Sequence, residues 1–483
     1  MPVKHVTTAV NAIVNSHLWI DTGQLPEQVV GDLVDALTLD NQEYVNAKER
    51  KLANWQDMDP YVEMFDWEGD WLVCPRGFAS QLIEGMSASG IIVHWTDERN
   101  RLPGHGFSLG KKIPARPYQE KIIDAVLMAE QGIVKAPTGS GKTVAALEIV
   151  RRVKGRALVI VNTKEIADQW VQRTSDWLGE AYPTGFIGDG EFEIGDGLTV
   201  AIQATLWSRR QVLYEDNFFK RFQCVILDEC HHATADTYRA IVDQFWARYR
   251  FGMSATPEKT GDFNLARTVL GPVIVEVTTD EVGDKIIKPT VEIISTDFWA
   301  EYHGDKVMPN GYIRRNNYAT VLKKLTEDPE RNRLVATEIM ERHRQNVNLV
   351  LSKRLKHLAA IKAALIKEGY PADDIFELTG KESREERRAV VDRTERGSCV
   401  VLSTLADEAL DAPRLDRLHL AFPTRNADLV TQQIGRIRRR HPEKRDAKVL
   451  DYRDPGVGPL ERQYLERRHN VYGPSGFRVE KRK

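Results

Sequence analysis

The chain has 483 residues, 42% hydrophobic and 29% charged, which is the balance of an ordinary globular protein with room for roughly two to four domains. No apolar run reaches the roughly 18 residues of a membrane span, and the opening MPVKHVTTAVNAIVNSHLW lacks a signal-peptide pattern. A net charge of −2 cannot by itself argue for a nucleic-acid partner, but residues 1–112 hold 9 Lys and Arg against 16 Asp and Glu, and residues 431–483 hold 15 against 7. The basic end can supply a local field for phosphates, or it can be a solvated charged surface. Four scattered cysteines (Cys74, Cys224, Cys230, Cys399) form no C-x-x-C. They read as small core residues of an intracellular protein rather than as a disulfide framework or zinc site.

The first 112 residues read as a small α+β module. GDWLVCPRGF and GIIVHWTDERN are expected to be strands or strand ends, with SQLIEGMSAS a helix between them. Trp55, Tyr61, Phe65, Trp67 and Trp71 are expected to form the module's core, the other reading being aromatic platforms for bases. RLPGHGFSLGKKIPA then reads as a linker. From Arg116 onward strands and helices alternate, which argues for parallel sheet covered by helices. ALVIVNT, LTVAIQA, CVILDE and FGMSAT form one series of buried strands, and NLVLS, IFELTG, CVVLST, LHLAFP and AKVLDY form a second, as one large sheet or as two lobes. KPTVEIISTDF is expected to be a strand near the crossover between the series.

The first series carries chemistry at its turns. Ala136–Thr143 reads APTGSGKT, a phosphate-loop pattern between a strand end (Ile133, Val134) and a helical run. Gly139 and Gly141 allow the tight turn, Lys142 would reach the β- and γ-phosphates, and the Thr143 hydroxyl would ligate Mg²⁺. About 85 residues on, VILDECHH delivers Asp228 and Glu229 to a strand end, where a carboxylate can hold Mg²⁺ and its neighbour can polarise water. His231 and His232 have no ligand cluster around them to suggest zinc. In RPYQ, the Gln119 amide suits an adenine edge. The hydroxyls of SATP suit a link to a neighbouring lobe. In QQIGRIRRR, Arg436 and Arg439 are three apart and are expected to share a helix face, a spacing that suits charge stabilisation across a cleft or, more plainly, a basic surface helix.

The ordered set RPYQ, APTGSGKT, VNTKEIADQW, TVAIQATL, DECHH, SATP, LVLSKRLKHL, STLADEALDAP and QQIGRIRR resembles the motif series of superfamily 2 helicases over residues 113 to 453. The pattern is similar to the XPB/UvsW-like branch, which includes phage DEAD/DEAH-type helicases and resembles the motors of type III restriction systems. A Gln-led last motif separates it from the DEAD-box RNA helicases. The resemblance implies an α/β fold: two tandem RecA-like parallel-sheet lobes with ATP between them and a small N-terminal α+β accessory domain. The expected divisions are 1–112 (accessory, possibly substrate-engaging), 113–282 (first lobe), 283–330 (crossover) and 331–483 (second lobe with a basic tail).

The resemblance also implies roles. Arg116 and Gln119 would read adenine, and Pro137, Thr138, Gly139, Ser140, Gly141, Lys142 and Thr143 would hold the phosphates. Thr143 and Asp228 would hold Mg²⁺, and Glu229 would work on water. His231, Ser254 and Thr256 would couple hydrolysis to the track; Asp411, Gln432, Arg436 and Arg439 would act from the second lobe. Thr163, Gln203, Thr205, Ser352, Lys353, Ser403 and Thr404 would follow the strand. Ala409 and Gln433 depart from a frequent Gly and a common Arg, so one loop shape and one phosphate contact are in question. The implied activity is an ATP- and Mg²⁺-dependent DNA helicase or translocase working on duplex or branched DNA, in the cytoplasm or nucleoid of a bacterial or phage-infected cell. Two other readings stay open: a nucleic-acid sensor that recruits a partner such as a nuclease, and an ATPase that remodels proteins.

Overall fold

The computed structural model describes residues 9–49, 55–101, 112–231, 236–255, 263–283, 286–307, 313–314, 316–404 and 412–482. The chain divides into two compact units, Met1–Pro137 with Gly141–Glu281 and Val282–Lys483 with Thr138–Ser140. Each strand series forms its own parallel sheet.

The first unit is built on eight strands in the order Glu191–Phe192, Thr184–Gly188, Leu198–Ile202, Ala157–Val161, Cys224–Asp228, Tyr249–Ser254, Gln131–Lys135, Val273–Glu276. All neighbours are parallel except the short hairpin Thr184–Gly188/Glu191–Phe192. Parallel strands need crossovers, and helices such as Lys142–Val153 and Lys164–Leu178 supply them. Ala157 to Val161 are all fully buried, as expected of a strand covered on both faces. Register sets the site: Asp228 pairs with Met253, and Ser254 pairs with Lys135. Three strand ends therefore finish level and side by side. At the usual strand spacing, the acid strand and the phosphate-loop strand are about 10 Å apart, with Ser254 between them.

The N-terminal module packs into this same unit. Its sheet runs Asp66–Glu68, Trp71–Pro75, His17–Asp21, Ala9–Val14, Ile92–Asp97. One core joins Leu18, Leu72, Phe78 and Leu82 of the module to Leu265, Val269 and Leu270 of the lobe. Backbone meets backbone at Gly77, where a Cβ would lie 2.4 Å from the Thr268 carbonyl oxygen. A polar weld surrounds this contact. Buried Arg250 donates to the carbonyls of Ser16 (3.3 Å), Val242 (3.0 Å) and Val269 (3.1 Å), and Arg76 donates to Asn15 (3.1 Å). Asp243 lies 3.8 Å from Arg250; burial raises its carboxyl to about 6, against the pull of Arg250. The expected aromatic core is corrected here. The module's core is mainly aliphatic, Trp55, Phe65 and Trp71 are only half-buried, and Tyr61 and Trp67 are 57% and 47% exposed.

The second unit has seven strands, all pairs parallel, in the order Ile375–Leu378, Cys399–Ser403, Val347–Leu351, Arg417–Leu420, Lys448–Arg453, Thr290–Ser295, Arg478–Arg482. Thr290–Ser295, read as lying near the crossover, is an interior strand of this sheet. The last basic residues form its edge strand. Many C-terminal cations are tied up: Arg467 with Asp451 (2.6 Å), Arg453 with Glu461 (2.6 Å), Lys448 with Glu292 (2.6 Å), and Arg482 with Glu292 and Glu338. The formal positive charge of this end thus overstates its field. All four cysteines are free and buried.

Candidate nucleotide site

The phosphate loop leaves the Gln131–Lys135 strand and enters the Lys142–Val153 helix. Gly139 (φ 84°) and Gly141 (φ 80°) take left-handed conformations that other residues resist. At Gly141 a Cβ would also lie 2.5 Å from Gln119 Nε2. Gln119 is 3% exposed; its oxygen accepts from the Arg116 N–H at 2.9 Å, and its amide donates to the Gly141 carbonyl at 3.3 Å. The residue assigned to adenine thus also braces the end of the loop. Arg116 donates to the Tyr118 hydroxyl at 2.8 Å. Lys142 Nζ donates to the Ala136 carbonyl at 3.0 Å, folded back along the loop.

At the level end of the neighbouring strand, Trp170 Nε1 donates to Asp228 Oδ2 at 2.7 Å, and Asp228 Oδ1 accepts from the Glu229 N–H at 3.1 Å. Burial raises the Asp228 pKa, with Glu229 adding to the rise, and the Trp170 bond, Lys142 and Arg173 oppose it. Glu229 sits at φ 50°, left-handed for a residue with a Cβ. Such backbone costs about 1–3 kcal/mol and survives where surroundings over-determine it, often at functional sites. Glu229 Oε2 is 3.4 Å from His231 Nδ1, and that nitrogen is 3.3 Å from Ser254 Oγ. A polar chain Glu229–His231–Ser254 therefore runs from the acid pair to the adjacent strand end. His232 and Thr256 lie outside the described residues.

Arg173 Nη1 donates to the Thr143 hydroxyl at 2.8 Å. Burial lowers the Arg173 pKa, and the charges of Asp228 and Asp176 pull it back. A cation thus already sits by the two oxygen donors that the resemblance gives to Mg²⁺. Among the described residues no three His, Cys, Asp or Glu side chains gather as a metal cage. A hydroxyl and one carboxylate beside a phosphate loop suit Mg²⁺, which keeps waters and shares its shell with phosphates. Trp170 and Arg173 were not assigned from sequence. Their signal was present: they are three apart on one helix that starts at VNTKEIADQW.

Of the residues expected to follow a strand, Thr163 caps the Lys164–Leu178 helix, accepting from the Ile166 N–H at 3.4 Å. Gln203 and Thr205 lie in the short helix Gln203–Ser208, after the strand that pairs with Ala157–Val161. In the second unit, Ser403 ends a strand and Ser352 directly follows the end of its paired strand, and the Ser352 N–H donates to the Ser403 carbonyl at 3.1 Å. Ser403 Oγ donates to Leu378 O (2.9 Å) and Thr404 Oγ1 to Thr379 O (3.2 Å), so these hydroxyls shape their own loops. Ser352, Lys353, Thr424 and Gln433 line one small cleft. Ala409 and Asp411 lie outside the described residues.

The shared helix face of Arg436 and Arg439 is corrected. The helix Ala427–Arg436, which also carries Gln432, ends at the first arginine. Arg439 lies beyond the following turn, bridged to Ile286, and the Ile287 N–H donates to the Arg438 carbonyl at 2.7 Å. The turn is held from inside by Lys444. Its buried ammonium donates to the carbonyls of Ile437 (2.5 Å), Arg439 (3.0 Å), Leu415 (2.5 Å) and Pro413 (3.5 Å). Burial lowers its pKa to about 7; Asp416 and Asp446 pull upward, and Arg417 and Arg439 push downward.

Residues 112–259 match the family described as type III restriction enzyme, res subunit. The chain is 27% identical over 391 residues to a DNA 3'-5' translocase XPB2 of Sulfurisphaera tokodaii, covering 73% of this chain and 84% of the relative. It is 23% identical over 377 residues to the ATP-dependent DNA helicase uvsW of Enterobacteria phage T4, covering 73% and 71%. Among solved structures, a fragment of a putative HsdR subunit of a type I restriction enzyme from Vibrio vulnificus shares the fold, with a TM-score of 0.55, 18% identity and coverage of 77% of this chain and 69% of that one. No helix of the described residues is long and apolar enough to cross a membrane. With the motif order, these matches make the chain similar to superfamily 2 helicases of the XPB/UvsW-like branch and support a nucleic-acid-dependent ATPase.

Proposed function

We propose that the chain is an ATP-driven DNA translocase or helicase that moves on, or remodels, duplex, forked or branched DNA. The observation that carries this reading is the level row of strand ends bearing the phosphate loop, Ser254 and the Asp228–Glu229 pair. Lys142 leaves the Ala136 carbonyl to bind phosphate, and the helix N-terminus behind it adds its dipole. Thr143 and Asp228 would hold Mg²⁺, which would neutralise charge on the phosphates. Glu229 orients the attacking water, and its contact with His231 passes the state of the acid to Ser254. Gln119 and Arg116 favour adenine. From the second unit, Arg436 and Arg439 add positive charge to the transition state, and the Gln432 amide and Asp411 act on the nucleotide.

Thr163, Gln203, Thr205, Ser352, Lys353, Ser403 and Thr404 follow the strand mainly through its phosphates, so sequence preference is weak and salt dependence strong. The experiment is steady-state ATP hydrolysis without polymer and with single-stranded, duplex and forked DNA and RNA, with Lys142→Ala as the blank. Stimulation by DNA and displacement of an annealed strand support the reading. Stimulation without displacement or translocation favours a sensor that recruits a partner such as a nuclease. A rate that no polymer changes removes the motor reading.

A further inference from the structure

The Lys164–Leu178 helix presents Trp170 and Arg173 to the candidate nucleotide site, one on Asp228 and the other on Thr143. Asp228 is a half-buried carboxylate followed directly by a second acid, Glu229. Two adjacent carboxylates out of bulk water call for positive charge close by. Arg173 supplies such a charge while its Nη1 fixes the hydroxyl of Thr143 at 2.8 Å.

Resting on the nucleotide-site reading above, we propose that Arg173 is a positioning residue that holds Thr143 and Asp228 in place of a divalent cation and gives way when Mg²⁺ arrives with nucleotide. The guanidinium and Mg²⁺ use lone pairs of the same hydroxyl oxygen, and both answer the charge of the same carboxylate. Two cations sharing this half-buried site repel strongly, because low dielectric magnifies Coulomb terms. Metal entry therefore carries the cost of displacing Arg173. In return, the acid strand and the loop are kept in their working arrangement between turnovers.

The test compares the full-length wild type with Arg173→Met and Arg173→Lys. Melting temperature is read in EDTA, in Mg²⁺ alone, in ADP with EDTA and in Mg²⁺ with ADP; Mg²⁺ is also titrated in ATP hydrolysis. Arg173→Met should melt about 2–4 °C below wild type in EDTA. That gap should at least halve in Mg²⁺ with ADP, because the metal then supplies the missing charge. The Mg²⁺ concentration for half-maximal turnover should fall about 5-fold or more. Arg173→Lys keeps the charge with a shorter reach, and should melt near wild type and show a smaller fall. A melting gap that is equal with and without Mg²⁺ and ADP marks Arg173 as structural only and overturns the proposal. So does an unchanged or higher Mg²⁺ requirement. If Arg173→Met does not fold, the Mg²⁺ requirement of Arg173→Lys decides alone, and no change there overturns the proposal. A wild type that gains no melting temperature from Mg²⁺ with ADP sinks the nucleotide-site reading itself, an outcome distinct from an unchanged gap between variants.

Discussion

The two units hold their candidate functional groups by opposite means. In the first, side chains are held by side chains: Trp170 fixes Asp228 and Arg173 fixes Thr143, both from one helix. In the second, the arginine-bearing turn is held through its backbone, by an ammonium that gathers the carbonyls of Ile437 and Arg439 together with those of Pro413 and Leu415. The two arrangements should fail differently. A change at the first alters one contact of the chemistry, whereas a change at Lys444 moves a whole segment without touching a reacting group.

The largest effect should come from Lys142→Ala, which removes the cation proposed to bind phosphate. ATP turnover is expected to vanish while the melting temperature stays close to wild type. In the second unit, Arg439→Ala should lower kcat about 1,000-fold or more, the range of an arginine that acts on transition-state charge. Binding of a non-hydrolysable ATP analogue should survive. Normal turnover in Arg439→Ala would remove Arg439 from the transition state.

Next is Arg250→Met at the weld between module and lobe. It removes the side-chain donor of three carbonyls and leaves Asp243 buried without its partner, so urea unfolding should show a loss of about 3 kcal/mol. A loss near zero would mean that the module is a loosely seated appendage. Lys444→Met tests the backbone clamp: kcat should fall roughly 10- to 100-fold through misplacement of the arginine turn, with the KM for ATP little changed. Equal damage to KM would instead point to general loosening of the unit.

The smallest effect concerns acid. Burial lowers His343 to about 4 and His357 to about 3, and lowers His419 as well. The folded second unit binds fewer protons there than the unfolded chain, which takes them up near 6.5. Its stability should rise with pH across roughly 4 to 6.5 and be lost as pH falls through that window. In the first unit, Asp243 opposes this trend: its pKa is raised to about 6, so the folded form keeps a proton that the unfolded form has lost between about 4 and 6. Melting curves of the separate transitions against pH would reveal a steeper acid loss in the second unit.

Much of this architecture was legible in the residues because buried parallel strands are continuous apolar runs with chemistry at their ends. ALVIVNT, CVILDE and CVVLST became Ala157–Val161, Cys224–Asp228 and Cys399–Ser403. The module was less legible. Its aromatics suggested a core, but a five-stranded sheet of this size buries Leu18, Ile20, Leu72 and Leu82 instead and leaves Tyr61 and Trp67 at the surface. The three-residue spacing of Arg436 and Arg439 suggested a helix, and the helix ended first.

By itself the sequence determined the order of the motifs, the alternation of strand and helix, and the strand–loop–helix frame of APTGSGKT, because each depends on residues close together in the chain. Only tertiary structure decided what those residues lean on. Trp170 meets Asp228 across 58 positions and Arg173 meets Thr143 across 30. Arg250 reaches Ser16 across 234. Lys448 and Arg482 are paired with Glu292 and Glu338, acids outside the C-terminal stretch, which removes charge that composition counted as free. These contacts depend on strand order and register, since side chains far apart in sequence meet only when the sheet brings their strand ends level.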